Sequence, residues 1–384
     1  MRHLPKLNID LATRILDDQV QVSLVHPGSR YVFYDTVLEN ALLPVDLPFL
    51  DVADGSPIPD ANQIAPMLER ARKLRKWAKR PKSEASKPKP PQDLDYYRTQ
   101  LNLVAGAQGA RTRLRNAAQH ILWDMPEGSV VVIPQKGISG KAILAELGSR
   151  EATRARVKGK EHYAELEFLA RPVVVICRVP MLSLPADVLG AARSTSATQT
   201  IEGHSEDRVL RLAYGDYQRD RDFVAGVIAK TDDFDALVLG QMIDLHVAIE
   251  HFLDTGEVLE PGRVTWARKV QRAPNLHATI NSPDGRASLE SKGVATFSVK
   301  LLSIVAASGI SLAVAGDLIA QGLVDVSNSQ QPNDDKAIIE ASANALIDFF
   351  ATSGYSSYSE YLTGLQNGLE RNATKPQGSA EITP

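Results

Sequence analysis

Residues 128–147 read GSVVVIPQKGISGKAILAEL, and residues 164–179 read AELEFLARPVVVICRV. Both stretches are rich in Val, Ile and Leu, with Gly, Lys and Arg at the positions of turns. This pattern predicts short strands at Val130–Pro134, Ala142–Leu147, Ala164–Ala170 and Val173–Val179. Short strands at regular spacing favour a small β-barrel or curled sheet in the middle of the chain.

The sequence on both sides of these strands predicts helices as well as further strands. We therefore expect an α+β fold with a C-terminal α/β region. Apolar residues at helical spacing predict helices at Met67–Lys79, Leu94–Trp123, Asp235–Leu253, Ile310–Leu323 and Asp335–Phe350. Further strands are expected within residues 20–35, on both sides of a turn at 26–29, and at Val209–Tyr217, Phe223–Ile228, Ala278–Ser282 and Ala287–Ser291.

Residues 80–92, RPKSEASKPKPPQ, hold four prolines and no large apolar side chain. This composition is typical of a linker, so it predicts a domain boundary. We expect an N-terminal region 1–92, a β-rich region 93–270, a C-terminal region 271–369 and a disordered tail 370–384.

The composition describes a globular chain with a net charge of −3, which attracts neither nucleic acid nor an anionic membrane as a whole. The single cysteine, Cys177, excludes an internal disulfide and a cysteine-rich zinc site, and it is expected to pack as a small apolar residue on a strand. The first 18 residues lack the apolar core of a signal peptide, so a cytoplasmic location is expected.

The segment Leu301–Gly316, LLSIVAASGISLAVAG, contains no charged residue. It is shorter than the roughly 20 residues that a membrane-spanning helix needs, and serines dilute its hydrophobicity. A buried strand, turn and helix is the expected structure. An effector that acts on membranes through this segment remains an alternative function.

The fragment Gly137 to Lys141 resembles half of a phosphate-binding loop. A complete loop has Gly where this chain has Gln135, and Ser or Thr where it has Ala142. A glycine-containing hairpin is therefore the expected structure.

His246 and Glu250 are four residues apart on a predicted helix and could share a metal ion. The spacing differs from that of zinc-peptidase helices, and no second set of ligands is evident. We therefore predict no metal site here and expect a solvated helix face.

Asp284, Glu290 and Lys292 resemble the catalytic pattern of PD-(D/E)xK nucleases. In such enzymes carboxylates hold Mg²⁺ and the lysine assists the attacking water. Glu290 and Lys292, two apart on a strand, would point to one side. However, only five residues separate Asp284 from Glu290, which is short for two ligands of one metal.

The strongest local charge lies between residues 70 and 89, in an otherwise balanced chain. Such a basic patch could neutralise several phosphates of a nucleic acid, and Trp77 could stack on a base. The alternative is a solvated helix face with Trp77 in the core. The candidate nucleic-acid-binding residues are Arg70, Arg72, Lys73, Arg75, Lys76, Lys79, Arg80 and Lys82.

Residues 121–217 resemble the accessory module found beside nuclease domains in Mrr-type restriction proteins. Ser129 stands where that family favours Asp. The resemblance implies a small barrel-like module in a restriction or anti-phage setting. It is carried by Trp123, Met125, Gly128, Val131, Pro134, Arg171, Val173, Leu184 and Pro185.

These observations favour a non-catalytic binding or sensing component of a bacterial defence system. We expect it to contact nucleic acid or a second protein subunit of that system, to be oligomeric and to have no cofactor. One alternative is a Mg²⁺-dependent nuclease that uses Asp284, Glu290 and Lys292. The other alternative is a membrane-acting effector, although a membrane partner is not expected.

Overall fold

The fold described here is that of a computed structural model, in which the chain forms two compact units. We call Gln19–Ala213 the central unit, and Met1–Asp18 together with Tyr214–Pro384 the flanking unit. The predicted α+β class is confirmed. The structure describes residues 5–52, 57–80, 88–101, 108–157, 161–194, 197–219, 222–228, 236–259, 275–279, 286–292, 294–329, 336–353, 358–371 and 378–383.

The central unit contains a curled sheet and the helices that cover it. The predicted linker at residues 80–92 falls inside this unit. Its strands are β3 (Val22–Val25), β4 (Leu42–Pro48), β5 (Val130–Ile133), β6 (Lys141–Leu147), β7 (Thr153–Arg156), β8 (Glu167–Pro180) and β9 (Thr198–Ile201). Its helices are α1 (Tyr34–Asn40), α2 (Ala65–Ala78), α3 (Leu94–Leu101), α4 (Gln108–Gln119), α5 (Glu161–Ala164), α6 (Ala186–Ala191) and α7 (His204–Tyr214).

The central sheet is a half-barrel with the strand order β4-β8-β6-β5-β3-β9, and β7 also pairs with β8. The long strand β8 makes the curl possible, because its first part pairs with β4 and β7 and its second part pairs with β6. The two strands predicted at Ala164–Ala170 and Val173–Val179 are thus one strand. The predicted curled sheet is confirmed, and so is the hairpin between β5 and β6.

Arg171, in the middle of β8, connects this strand to neighbouring segments through buried hydrogen bonds. Its side chain is fully buried, and its guanidinium donates hydrogen bonds to the carbonyl oxygens of Gly148 (2.9 and 3.1 Å), Ile121 (3.1 Å) and Met125 (2.7 Å). Burial lowers the pKa of Arg171 to about 10. The side chain therefore ties β8 to the turn after β6 and to the π-helical turn His120–Asp124.

Two strand predictions were wrong because side-chain burial favours helices there. Within residues 20–35 only β3 is a strand. A short 3₁₀ turn and α1 follow it, and Tyr34 and Val37 of α1 enter the core. Most of Val209–Tyr217 is the helix α7, which buries Val209, Leu210 and Ala213 on one face.

The flanking unit combines two small sheets with helices. The strands are β1 (Lys6–Asp10), β2 (Arg14–Leu16), β10 (Tyr217–Arg219), β11 (Asp222–Ile228), β12 (Asn275–Thr279), β13 (Arg286–Lys292), β14 (Val324–Ser327) and β15 (Ser379–Thr383). The helices are α8 (Ala236–Thr255), α9 (Val294–Ala307), α10 (Leu312–Ala320), α11 (Lys336–Ser353) and α12 (Ser359–Arg371). The strand orders are β14-β1-β15 and β12-β13-β11-β10-β2.

Helix α9 lies in the core of the flanking unit and is buried around its circumference from Ala295 to Ala306. A turn with Gly309 at φ 75° connects it to α10. The strand predicted at the start of Leu301–Gly316 is therefore a helix. The segment is a helix–turn–helix whose first helix is buried and whose turn is exposed. Among the helices of the described residues, none combines the length and the hydrophobicity that a membrane span requires.

The end of the chain contains the strand β15, whereas the sequence predicted disorder after Leu369. Strand β15 pairs antiparallel with β1, with Ile382 opposite Leu7. The pairing hydrogen bonds compensate for the few apolar side chains of this segment. Residues 372–377 lie outside the described residues.

Candidate nucleic-acid interface

Helix α2 carries most of the basic residues that the sequence singled out. Leu68, Ala71, Leu74 and Trp77 are buried at helical spacing and attach the helix to the central unit. From residue 70 onward, the helix also holds the basic residues Arg70, Arg72, Lys73, Arg75 and Lys76, whose environments differ widely. The structure therefore divides the predicted basic patch into groups with different roles.

Two of the predicted residues form hydrogen bonds with other groups of the protein. Arg70 is 9 % exposed, and its guanidinium donates hydrogen bonds to the carbonyl oxygens of Gln92, at 3.0 Å, and Phe49. Burial lowers the pKa of Arg70. Arg72 donates two hydrogen bonds, of 2.8 and 2.6 Å, to the carboxylate of Glu69. Arg70 therefore connects α2 to the backbone at Phe49 and Gln92, and Glu69 neutralises the charge of Arg72.

Lys73 and Lys76 occupy the solvent-exposed face of α2. Among the described residues, neither lysine forms an ion pair or a side-chain hydrogen bond. Arg80 follows the helix and is partly exposed, while Lys82 lies outside the described residues. Lys73 and Lys76 are thus the predicted cations that are most available to a phosphate.

Trp77 cannot stack on a nucleic-acid base in this structure, because only 5 % of it is exposed. Its ring lies 4.6 Å from the ring of His162, centroid to centroid, and the Nζ atom of Lys89 lies 5.4 Å from its centroid. The expectation that placed Trp77 in the core is confirmed.

Arg75 of α2 and Lys79, the residue that follows the helix, lie near the carboxylate of Asp46 on β4. The Nη1 atom of Arg75 is 3.6 Å from the Oδ2 atom of Asp46. The same oxygen accepts hydrogen bonds from the backbone N–H (2.9 Å) and the hydroxyl (2.8 Å) of Ser29. Burial raises the pKa of Asp46, and Arg75, Ser29 and Lys79 oppose this shift.

Arg30 adds a third cation to this group, which we call the Asp46 cluster: Ser29, Arg30, Asp46, Arg75 and Lys79. Burial lowers the pKa of Lys79, and the positive charges of Arg75 and Arg30 lower it further against the effect of Asp46. Arg75 thus pairs with Asp46, Lys79 interacts with the charge of Asp46, and Arg30 interacts with the charge of Lys79. Sequence reasoning missed Ser29, Arg30 and Asp46, because no local pattern links them to α2.

The backbone that carries Ser29 and Arg30 is strained. Gly28, Arg30 and Tyr31 have φ angles of 69°, 58° and 60°. These angles lie in the left-handed region of the backbone, which residues other than glycine rarely adopt. A Cβ atom at Gly28 would lie 2.6 Å from ring carbons of Phe33, so only glycine fits there. The loop therefore holds Ser29 against Asp46 at an energetic cost.

The nuclease residues are only partly described. Glu290 and Lys292 lie on β13, which confirms the predicted strand, and Asp284 lies outside the described residues. Glu290 pairs in register with Val224, and Lys292 pairs with Asp222. The approach of the three residues to one another stays a prediction.

His246 and Glu250 are buried, whereas the sequence predicted a solvated helix face. They are 0 % and 1 % exposed, and His246 shares a hydrogen bond of 3.2 Å with the hydroxyl of Thr296. Burial lowers the pKa of His246 to about 4. No group of three or more His, Cys, Asp or Glu side chains in the described ranges could hold a metal ion.

The structure also brings together a serine and a histidine that the sequence did not connect. The hydroxyl of Ser23 lies 3.3 Å from the Nε2 atom of His120. Ser23 is fully buried, so a substrate cannot reach its hydroxyl in this conformation. The pair therefore joins β3 to the π-helical turn.

Comparison of the chain with protein families, with curated proteins and with solved structures found no match. The residues that carry the resemblance to the Mrr-type accessory module have structural roles in this fold. Met125 and Val131 are fully buried, and the carbonyl of Met125 accepts a hydrogen bond from Arg171. The family membership itself stays a prediction.

Proposed function

We propose that this protein is a non-catalytic binding component that contacts nucleic acid through the exposed face of α2. The observation that supports this proposal is the exposure of Lys73 and Lys76 without an acidic partner among the described residues. The net positive charge of the nearby Asp46 cluster adds to the local attraction. The resemblance to a restriction-associated module favours a role in anti-phage defence in the cytoplasm.

The size of this surface limits its affinity. If Lys73, Lys76 and Arg80 each contact one phosphate, log K for B-DNA falls by about 2.7 for each tenfold rise in salt concentration. Affinity would then fall about 40-fold between roughly 50 and 200 mM salt. Binding should be independent of base sequence, because contacts to phosphates carry no sequence information.

Fluorescence anisotropy with labelled duplex DNA over a range of salt concentrations tests the proposal. The double variant Lys73→Ala, Lys76→Ala should bind more weakly, with a salt slope reduced by about 1.8. The control variant Lys136→Ala, Arg150→Ala removes the same charge from exposed positions elsewhere on the central unit and should bind like the wild type. Absence of binding at low salt, or equal loss in both variants, would contradict the proposal.

A Mg²⁺-dependent nuclease is the second candidate. Glu290 and Lys292 support it, because they occupy alternate positions on β13, which pairs with a strand on each side. The Mg²⁺ ion would need Asp284 or another carboxylate as a second ligand. DNA cleavage with Mg²⁺ should be lost in the Glu290→Ala and Lys292→Ala variants, and full cleavage by both variants would exclude this function.

A further inference from the structure

The Asp46 cluster contains both hydrogen-bond donors and a hydrogen-bond acceptor that are not used within the described chain. Arg30, Arg75 and Lys79 donate no side-chain hydrogen bond to any residue that the structure describes. On the acceptor side, the Oδ2 atom of Asp46 is occupied by Ser29, but its Oδ1 atom is buried without a hydrogen-bond partner in the described chain. Buried polar atoms are rarely left in this state.

The charge of the cluster is also unbalanced. The three cations carry three positive charges, and Asp46 carries one negative charge when it is ionised. Asp46 is 12 % exposed and Arg75 is 25 % exposed, so bulk water screens this imbalance only in part. A ligand with two negative charges would restore neutrality.

We propose that the Asp46 cluster binds hydrogen phosphate, an anion that carries two negative charges and also a proton. Arg30, Arg75 and Lys79 donate hydrogen bonds to the phosphate oxygens. The phosphate hydroxyl donates a hydrogen bond to Asp46. This site is separate from Lys73 and Lys76 and does not depend on the function proposed above.

Asp46 gives the site a specific chemical preference. A carboxylate repels an anion that has no proton to share, but it accepts a hydrogen bond from an anion that does. Sulfate has the shape and charge of hydrogen phosphate, yet it carries no proton near neutral pH. The site should therefore prefer phosphate to sulfate by about tenfold or more, which corresponds to one hydrogen bond to a charged group.

The loop at residues 28–31 provides the movement that binding requires. The Oδ1 atom of Asp46 has no exposed surface in this conformation, so a ligand can reach it only after a local rearrangement. Gly28, Arg30 and Tyr31 already hold costly φ angles, and Arg30 is the exposed member of the cluster. A change in this loop brings Arg30 to the ligand and opens the approach to Asp46.

Isothermal titration calorimetry of the full chain near pH 7 tests the proposal with inorganic phosphate, sulfate, AMP and adenosine as ligands. We expect inorganic phosphate to bind and adenosine not to bind. Sulfate and AMP should bind at least about tenfold more weakly than phosphate, because neither the sulfate ion nor the AMP monoester dianion carries a proton at this pH. AMP binding as tightly as phosphate would show that the site does not recognise the proton and would contradict the proposal. Equal binding of sulfate and phosphate, or no binding of any anion, would overturn the proposal.

Variants assign the preference to individual residues. Asp46→Asn replaces the acceptor with an amide that can donate, so sulfate and phosphate should then bind within about threefold of each other. Lys79→Gln removes one partly exposed cation and should weaken both anions. Lys136→Gln, at an exposed position elsewhere on the central unit, should weaken neither. If Asp46→Asn does not fold, the Lys79→Gln variant and the wild-type comparison still decide the question. Unchanged phosphate binding in Lys79→Gln would contradict the site.

Discussion

The buried ion pair between Lys300 and Asp216 makes the flanking unit sensitive to a single substitution. The Nζ atom of Lys300 lies 2.8 Å from the Oδ2 atom of Asp216, and the two side chains are 1 % and 2 % exposed. Lys300 also donates a hydrogen bond to the hydroxyl of Thr13 and lies 5.7 Å from the ring centroid of Phe223. Burial lowers the pKa of Lys300 although Asp216 acts to raise it, so desolvation outweighs the attraction of the pair.

The Lys300→Met variant removes the cation and leaves the carboxylate of Asp216 buried beside an apolar chain. Breaking a buried ion pair in this way costs about 3–5 kcal/mol of unfolding free energy. The double variant Lys300→Met, Asp216→Asn no longer buries an unbalanced charge. It should therefore recover at least about 2 kcal/mol relative to Lys300→Met, because replacing both partners is often close to neutral.

Urea unfolding of each variant, followed by circular dichroism, measures these changes. The transitions of the two units should be fitted separately, since a chain with two compact units need not unfold in one step. Lys6→Met is the matched control, because Lys6 pairs with Asp325 at the surface of the same unit, with side chains 47 % and 66 % exposed. It should cost less than about 1 kcal/mol. The reasoning fails if Lys300→Met costs no more than this control, or if the double variant is no more stable than Lys300→Met.

Three further predictions concern other buried positions. Arg171→Met should destabilise the central unit by about 3–5 kcal/mol, since it leaves three carbonyl oxygens without their donor. Arg154→Met, at an exposed ion pair, should cost less than about 1 kcal/mol in the same urea titration. Lowering the pH from 6.5 to about 4 should destabilise the flanking unit, because the unfolded chain protonates His246 in this range and the folded chain does not. His246→Gln should flatten this part of the stability profile, and an unchanged profile would assign the effect to other groups. Leu302→Ala should cost about 2–5 kcal/mol in thermal or urea unfolding, because Leu302 is fully buried in α9; a negligible loss would contradict its place in the core.

Local sequence patterns predicted many elements correctly. Runs of β-branched residues located β5 and β6, and the apolar spacing of α2 located a helix close to its observed bounds. The strand and helix predicted at Phe223–Ile228 and Asp235–Leu253 are also confirmed. These elements could be read because the residues that define each of them are neighbours in sequence.

The remaining elements depend on partners that are distant in sequence. The strand β15 exists through its pairing with β1, more than 350 residues away. Similarly, α9 is apolar except for Thr296, Ser298, Lys300 and Ser303, and only the buried partners around it allow these polar groups. A local pattern contains no information about such partners.

The candidate site follows the same division. The amino-acid sequence by itself determined the α+β class, the helical form of α2 and the local excess of positive charge between residues 70 and 82. Only the tertiary structure decided what each cation does. Arg70 donates a hydrogen bond to a backbone carbonyl oxygen, Arg75 pairs with Asp46, and Lys73 is exposed to solvent. The physical reason is that the electrostatic role of a side chain depends on its burial and on nearby charges, and packing against distant segments determines both.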